Sequence, residues 1–293
     1  MWIAITLAAA CFQIARTSEQ HRLRQALNVA EAGYVRFAYA FPVAAALSTL
    51  WFVSQGSVPQ PTIRFWLWVC LAGTSQIAAT MALLHSFRLR DFAVGTIYSK
   101  TEVLFVSGAS VLLLGESIGW LGWVGAVLCL AGVASLASRG AIRSIVSAGL
   151  DPAAWYGMAA ALGFALAAVG IRGASSGLDG SAVDRAGLTL TAMLGIQTLL
   201  QGVAIVRSPA SSLRRVAAAW RPASRVALLS LLGSAAWALA LSLENAAKVR
   251  TLGQIEIVLA FAIGIAVHGE SHDRKEYLAG AATVAGIVLI VVA

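Results

Sequence analysis

Glu102-Val103-Leu104-Phe105, which runs on to Leu114-Gly115-Glu116-Ser117, returns half a chain later as Glu256-Ile257-Val258-Leu259, running on to His268-Gly269-Glu270-Ser271. Gly132 and Gly286, and Trp123 and Tyr277, keep the same offset. Both copies lie in long apolar stretches, so each carries an acid where a membrane span would bury it. An ionisable side chain inside a span is costly unless it meets a cation, a wet cavity or a proton, and it marks a functional site by default. The repetition therefore reads as a duplicated membrane unit holding paired carboxyls near its middle. That arrangement suits transport better than catalysis.

Composition agrees. Of 293 residues, 59% are hydrophobic and 12% are charged. A soluble domain carries roughly 25% charged residues, so this chain cannot cover a soluble surface and reads as an all-α, polytopic membrane protein. The net charge of +8 is spread over short loops, as topology signals are, instead of forming the single stripe that nucleic acid would need. Cys11, Cys70 and Cys129 show no C-x-x-C spacing and read as small core residues, implying neither disulfide nor metal. Residues 1–15 are apolar without a basic leader and read as a first span, not a secretion signal.

A spanning helix needs about 20 mostly apolar residues. Ten candidates follow at 2–16, 32–53, 63–86, 92–114, 118–137, 153–173, 183–206, 226–246, 252–267 and 277–292, the first and ninth being short. The longest polar break, 207–225, contains Ser208-Pro-Ala-Ser-Ser and Arg221-Pro222 and reads as a loop. The expected architecture is ten transmembrane helices in two five-helix repeats, 1–138 and 152–293. Five is odd, so the second copy enters the membrane in the opposite sense. Inverted repeats are a recurring plan of secondary transporters, whose site lies near the bilayer midplane. Arg16, Arg88, Arg139, Arg207, Arg214, Arg215, Arg221, Arg225 and Arg274 gather on one side with most other basic residues, which places both termini outside by the positive-inside rule.

The candidate substrate- or proton-binding residues are Glu102, Glu256, Lys100, Tyr98, Gln254, Trp237, Glu244 and Arg36. Glu102 and Glu256 can hold a proton or a substrate ammonium, or pin helices as internal ion pairs. Lys100 points about 200° away from Glu102 on a helix, so its partner is sought in Glu244 or Glu256, or in a substrate carboxylate. Arg36, placed in the first turns of the second span, can grip an anion bidentately or snorkel to headgroups. Tyr98, one turn before Glu102, can line a mixed pocket with Trp237 and Gln254, whereas Gln13 and Gln76 suit bonds between helices. His85 reads as interfacial, and His268 and His272 as loop residues instead of a zinc pair. No phosphate-binding loop, dinucleotide motif or nucleophile elbow occurs, so no cofactor or metal is expected and the chain is not read as an enzyme.

Leu113-Leu-Gly-Glu116 and its partner Val267-His-Gly-Glu270, with Arg36 in the second span, resemble the drug/metabolite transporter superfamily in its EamA-like branch. The resemblance implies a ten-helix bundle with a central cavity. It also implies export of small metabolites, amino acids or related solutes, coupled to a proton or other cation gradient. It further implies a multi-pass protein of the bacterial inner membrane, and family members are usually described with cytoplasmic termini, opposite to the charge count. Where many members carry Pro in the fourth and ninth helices, this chain has Glu102 and Glu256. The alternative function is a flippase for lipids or lipid-linked intermediates, its basic loops holding anionic headgroups.

Overall fold

The computed structural model describes residues 1–23, 27–89, 97–138, 152–207, 209, 211–268 and 274–293. Among the described residues the elements are helical throughout: α1 Trp2–Leu23, α2 Val29–Ala38, α3 Ala40–Gln55, α4 Ile63–Leu89, α5 Glu102–Ala109, α6 Gly119–Ser138, α7 Pro152–Ser176, α8 Ala182–Val206, α9 Ser211–Ala218, α10 Trp220–Leu243, α11 Ala246–Gly253, α12 Ile255–His268 and α13 Arg274–Val292. Eight stretches are long and apolar enough to cross a membrane, among them Ala30–Gln55, Ile97–Leu114 and Ala182–Val206. The expected spans that fall short are the two marked as short by sequence. The apolar part of α1 is only Trp2–Arg16, and the ninth is divided at Gln254 into α11 and α12.

Several boundaries move for local physical reasons. The eighth helix occupies Trp220–Leu243 instead of 226–246, because Asn245 caps the next helix by accepting the Ala247 N–H at 2.8 Å. The second span is two helices meeting at Tyr39, and Arg36 lies in the last turn of α2, not the first turns of the span. The expected loop 207–225 contains α9, a short helix with Arg214 and Arg215. The fourth helix runs from α5 into a π-helical turn, Ser110–Leu114. There Gly115 (φ +70°) ends it in the left-handed conformation, and Ser110 O accepts the Glu116 N–H at 3.2 Å. This is the structural work of Gly in the Gly115-Glu116 pair, since a side chain at that φ is strained. The second copy of that motif, Gly269-Glu270-Ser271, and His272 lie outside the described residues.

The chain divides into two compact units, Met1–Gly73 with Gly170–Leu243, and Thr74–Val169 with Glu244–Ala293. In the first, α1 packs along α10, and α8 packs on α2, α3 and α10. Ser48 Oγ and Thr191 Oγ1 share a hydrogen bond of 2.9 Å there, and the Trp51 indole donates to Asp184 at 2.7 Å. In the second, α6 packs along α13 with glycines at the crossing. A Cβ on Gly125 would stand 2.7 Å from the Gly286 carbonyl, and one on Gly286 would strike Cys129 N. Backbones touch directly, as close-packed helices in lipid require. Of the cysteines, only Cys129 is a core residue; Cys11 and Cys70 are exposed on helix surfaces, contrary to the sequence expectation.

Candidate functional site

The site is built in the second unit, where the chain tightens at Lys100 and Gln254, equivalent positions of the repeated sequence. Lys100 N bonds to Ile97 O at 3.1 Å, and Thr101 N to Tyr98 O at 3.2 Å. Gln254 N bonds to Thr251 O at 3.0 Å, and Ile257 N to Gln254 O at 3.1 Å. These i to i+3 bonds replace the α pattern by a 3₁₀ turn in both places, a feature that often marks a hinge. Neither turn contains a proline.

Each turn separates two helical pieces and so leaves two helix ends beside it. Glu102 is the first residue of α5, and Glu256 lies in the first turn of α12. The partial positive charge at a helix N-terminus favours an anion there. Arg250 lies in the last turn of α11, where the opposite end favours a cation. The charges pair across the duplication. Lys100 Nζ donates to Glu256 Oε1 at 2.7 Å, and the Arg250 guanidinium donates to Glu102 Oε1 at 2.6 Å. The Glu102 side chain keeps only 6% exposure, and the other three keep 14–16%. The first-half base thus neutralises the second-half acid, and the second-half base neutralises the first-half acid. Desolvation would be prohibitive for any of these charges alone.

Polar groups around the pairs are partly unspent. Thr251 Oγ1 and Gln254 Oε1 are buried without a hydrogen-bond partner among the described residues, while Gln254 Nε2 donates to Arg250 O at 3.5 Å. Thr101 Oγ1 donates to Tyr98 O at 2.6 Å. Glu244, the other partner considered for Lys100, accepts the backbone N–H of Asn245 at 2.9 Å.

Of the sequence-derived residues, Lys100, Glu102, Gln254 and Glu256 meet at this cluster. Trp237 and Arg36 belong to the first unit. The Trp237 indole donates to Gln13 Oε1 at 3.3 Å, and the Arg36 guanidinium stacks on Phe37 with its carbon 5.1 Å from the ring centre. His85 stacks on Tyr156 with ring centres 5.4 Å apart. The residue missed by sequence is Arg250. The expected ninth span starts at Leu252 and leaves Arg250 outside it; the signal that finds it is Asn245, an N-cap residue type five positions earlier.

A second buried acid was also missed. Glu31 is fully buried and closes a capping box with Asn28 at 2.9 and 3.1 Å. Arg215 of α9 grips both of its carboxylate oxygens, donating from Nε at 3.1 and 3.2 Å. The carboxylate holds the Arg215 guanidinium pKa above its ordinary value. Val35, Val216, Ala219 and Val226 close the apolar cluster around this pair, and the Tyr39 hydroxyl donates to Val216 O at 3.2 Å.

Among the described residues, eight apolar helices of spanning length make this a multi-pass membrane protein. The EamA-like transporter family model matches residues 1–138, just under half of the chain, so this part of the chain is similar to that family of drug/metabolite transporters. No curated protein matches it. A solved structure described only as the crystal structure of a protein is similar over 99% of this chain and 97% of its own, with a TM-score of 0.65 at 15% identity. That likeness speaks to the fold alone.

Proposed function

We propose that the protein is a secondary active transporter that exports small metabolites, amino acids or related solutes, by alternating access at a midplane site. The two crossed ion pairs at matched 3₁₀ turns are the observation that carries this reading. A purely structural pin would need one pair. Two pairs related by the duplication suit a device whose two states exchange the roles of its halves, 1–138 and 152–293, taken as inverted repeats.

In this reading Glu102 and Glu256 receive a substrate ammonium or a proton, and Lys100 and Arg250 receive a carboxylate. Gln254 Oε1 and Thr251 Oγ1 offer acceptors to substrate donors. Tyr98 and Glu244, of the same unit, complete the set assigned to substrate contacts. Each charge can leave its protein partner without becoming unpaired, provided the solute supplies the replacement. Coupling to a proton or other cation gradient drives the cycle, and the setting is a bacterial inner membrane. The chain is a carrier and not an enzyme.

The test is flux in proteoliposomes. Purified protein should drive gradient-dependent uptake or counterflow of at least one class among amino acids, amines, sugars and organic acids. Monodisperse protein that moves none of them under proton or sodium gradients overturns the reading.

A further inference from the structure

The first compact unit carries an open groove of about 370 Å³ between α2 and α8. Its walls are Tyr34, Thr198, Leu199, Val203 and Val206, and Arg207 stands at its end. Gly202 forms the floor, and the Tyr34 ring lies against it, 3.6 Å from where a Cβ would be. Leu199, Val203 and Val206 are exposed at 71%, 51% and 69%. All three belong to a stretch that qualifies as a membrane span, so in a bilayer they meet acyl chains. Arg207 is the first residue after α8 and caps it, which sets it at headgroup level.

The dimensions fit a lipid. Thr198 to Arg207 covers about 13 Å along the helix at 1.5 Å per residue, close to the roughly 15 Å of one leaflet's hydrocarbon. The charge fits an anionic one. Residues 185–243 contain no Asp or Glu. Arg207, Arg214, Arg221 and Arg225 are all exposed. α9, which carries Arg214, packs on both α2 and α8. Among the described residues Glu31 pairs with Arg215.

We infer that this groove is a binding site for an anionic phospholipid, one acyl chain lying along Leu199, Val203 and Val206 and the phosphate on Arg207. It stands on the first unit alone and does not depend on the ion-pair site or on what the carrier moves.

Native mass spectrometry tests it, with delipidated protein in detergent given phosphatidylglycerol or phosphatidylcholine of identical chains. Wild type should retain the glycerol lipid about fivefold over the choline lipid, as expected for about 1 kcal/mol from one basic side chain at an anionic surface. Arg207→Gln should abolish that preference. Val203→Trp, which fills the groove from an exposed position, should lower retention of both lipids while leaving the unfolding temperature unchanged. Equal retention of the two lipids by wild type overturns the inference. So does unchanged retention in Val203→Trp, which would mean a headgroup held without a seat for its chain.

Discussion

Replacing Glu102 by Gln removes the negative half of a pair whose Arg250 side chain keeps only 16% exposure. The guanidinium is then left charged and poorly solvated. Breaking a buried pair from one side costs about 3–5 kcal/mol, against about 0–1 kcal/mol for an exposed pair. Residual solvent contact at Arg250 puts the expectation near about 3 kcal/mol. Arg250→Gln strands Glu102 and should cost a similar amount. The double variant restores neutrality and replaces the ion pair by an amide–amide hydrogen bond. Its cost should fall well below the sum of the two, closing a thermodynamic cycle with about 2–3 kcal/mol of coupling. Reversible unfolding in mixed micelles reads this out through the fluorescence of the tryptophans, of which the chain has nine. Coupling below about 0.5 kcal/mol would show that the contact carries little energy. Transport by the double variant separates structure from function. A stable protein that no longer transports places the pair in the substrate path, whereas wild-type rates would make it a fastening between helices.

Other expectations follow from contacts of known geometry. Gly286→Ala puts a methyl group onto the backbone of Cys129 and Gly125, while nothing lies within 4 Å of a Cβ at Gly280. The first substitution should destabilise by at least about 1–3 kcal/mol, and Gly280→Ala should be tolerated in the same unfolding assay. Glu31→Gln deprives α9 of its anchor, so amide hydrogen exchange over Ser211–Ala218 should accelerate at least tenfold while exchange over Gly119–Ser138 is unchanged. Equal protection in the variant would mean that the apolar cluster alone holds α9.

What could be read in advance tracks how local the determining physics is. The spans were legible because apolar length is a property of one segment. Lys100 and Glu102 were excluded as partners by helical geometry alone, and Glu256 was among the two partners considered; the 2.7 Å contact bears this out. Arg250 was lost to a boundary error of a few residues at a capping site. α9 was hidden for a different reason. Its eight residues are too few to be stable alone, and they are held by Glu31, a residue far away in sequence. Glu31 itself stood one position outside the expected second span and so was never weighed as a buried acid. The 3₁₀ turns at Lys100 and Gln254 had no proline to announce them; only the symmetry of the charges hinted at something there.

Alternating access is tested most directly by the reactivity of a thiol placed beside Glu102. In protein with Cys11 and Cys70 replaced by Ser, and Cys129 buried, Thr101→Cys offers a single reactive position. A membrane-impermeant maleimide is applied separately to each face of oriented proteoliposomes. Alternating access predicts labelling from both faces, with substrate or an imposed gradient raising one rate and lowering the other. Labelling from one face alone, whatever the solute or gradient, would contradict it.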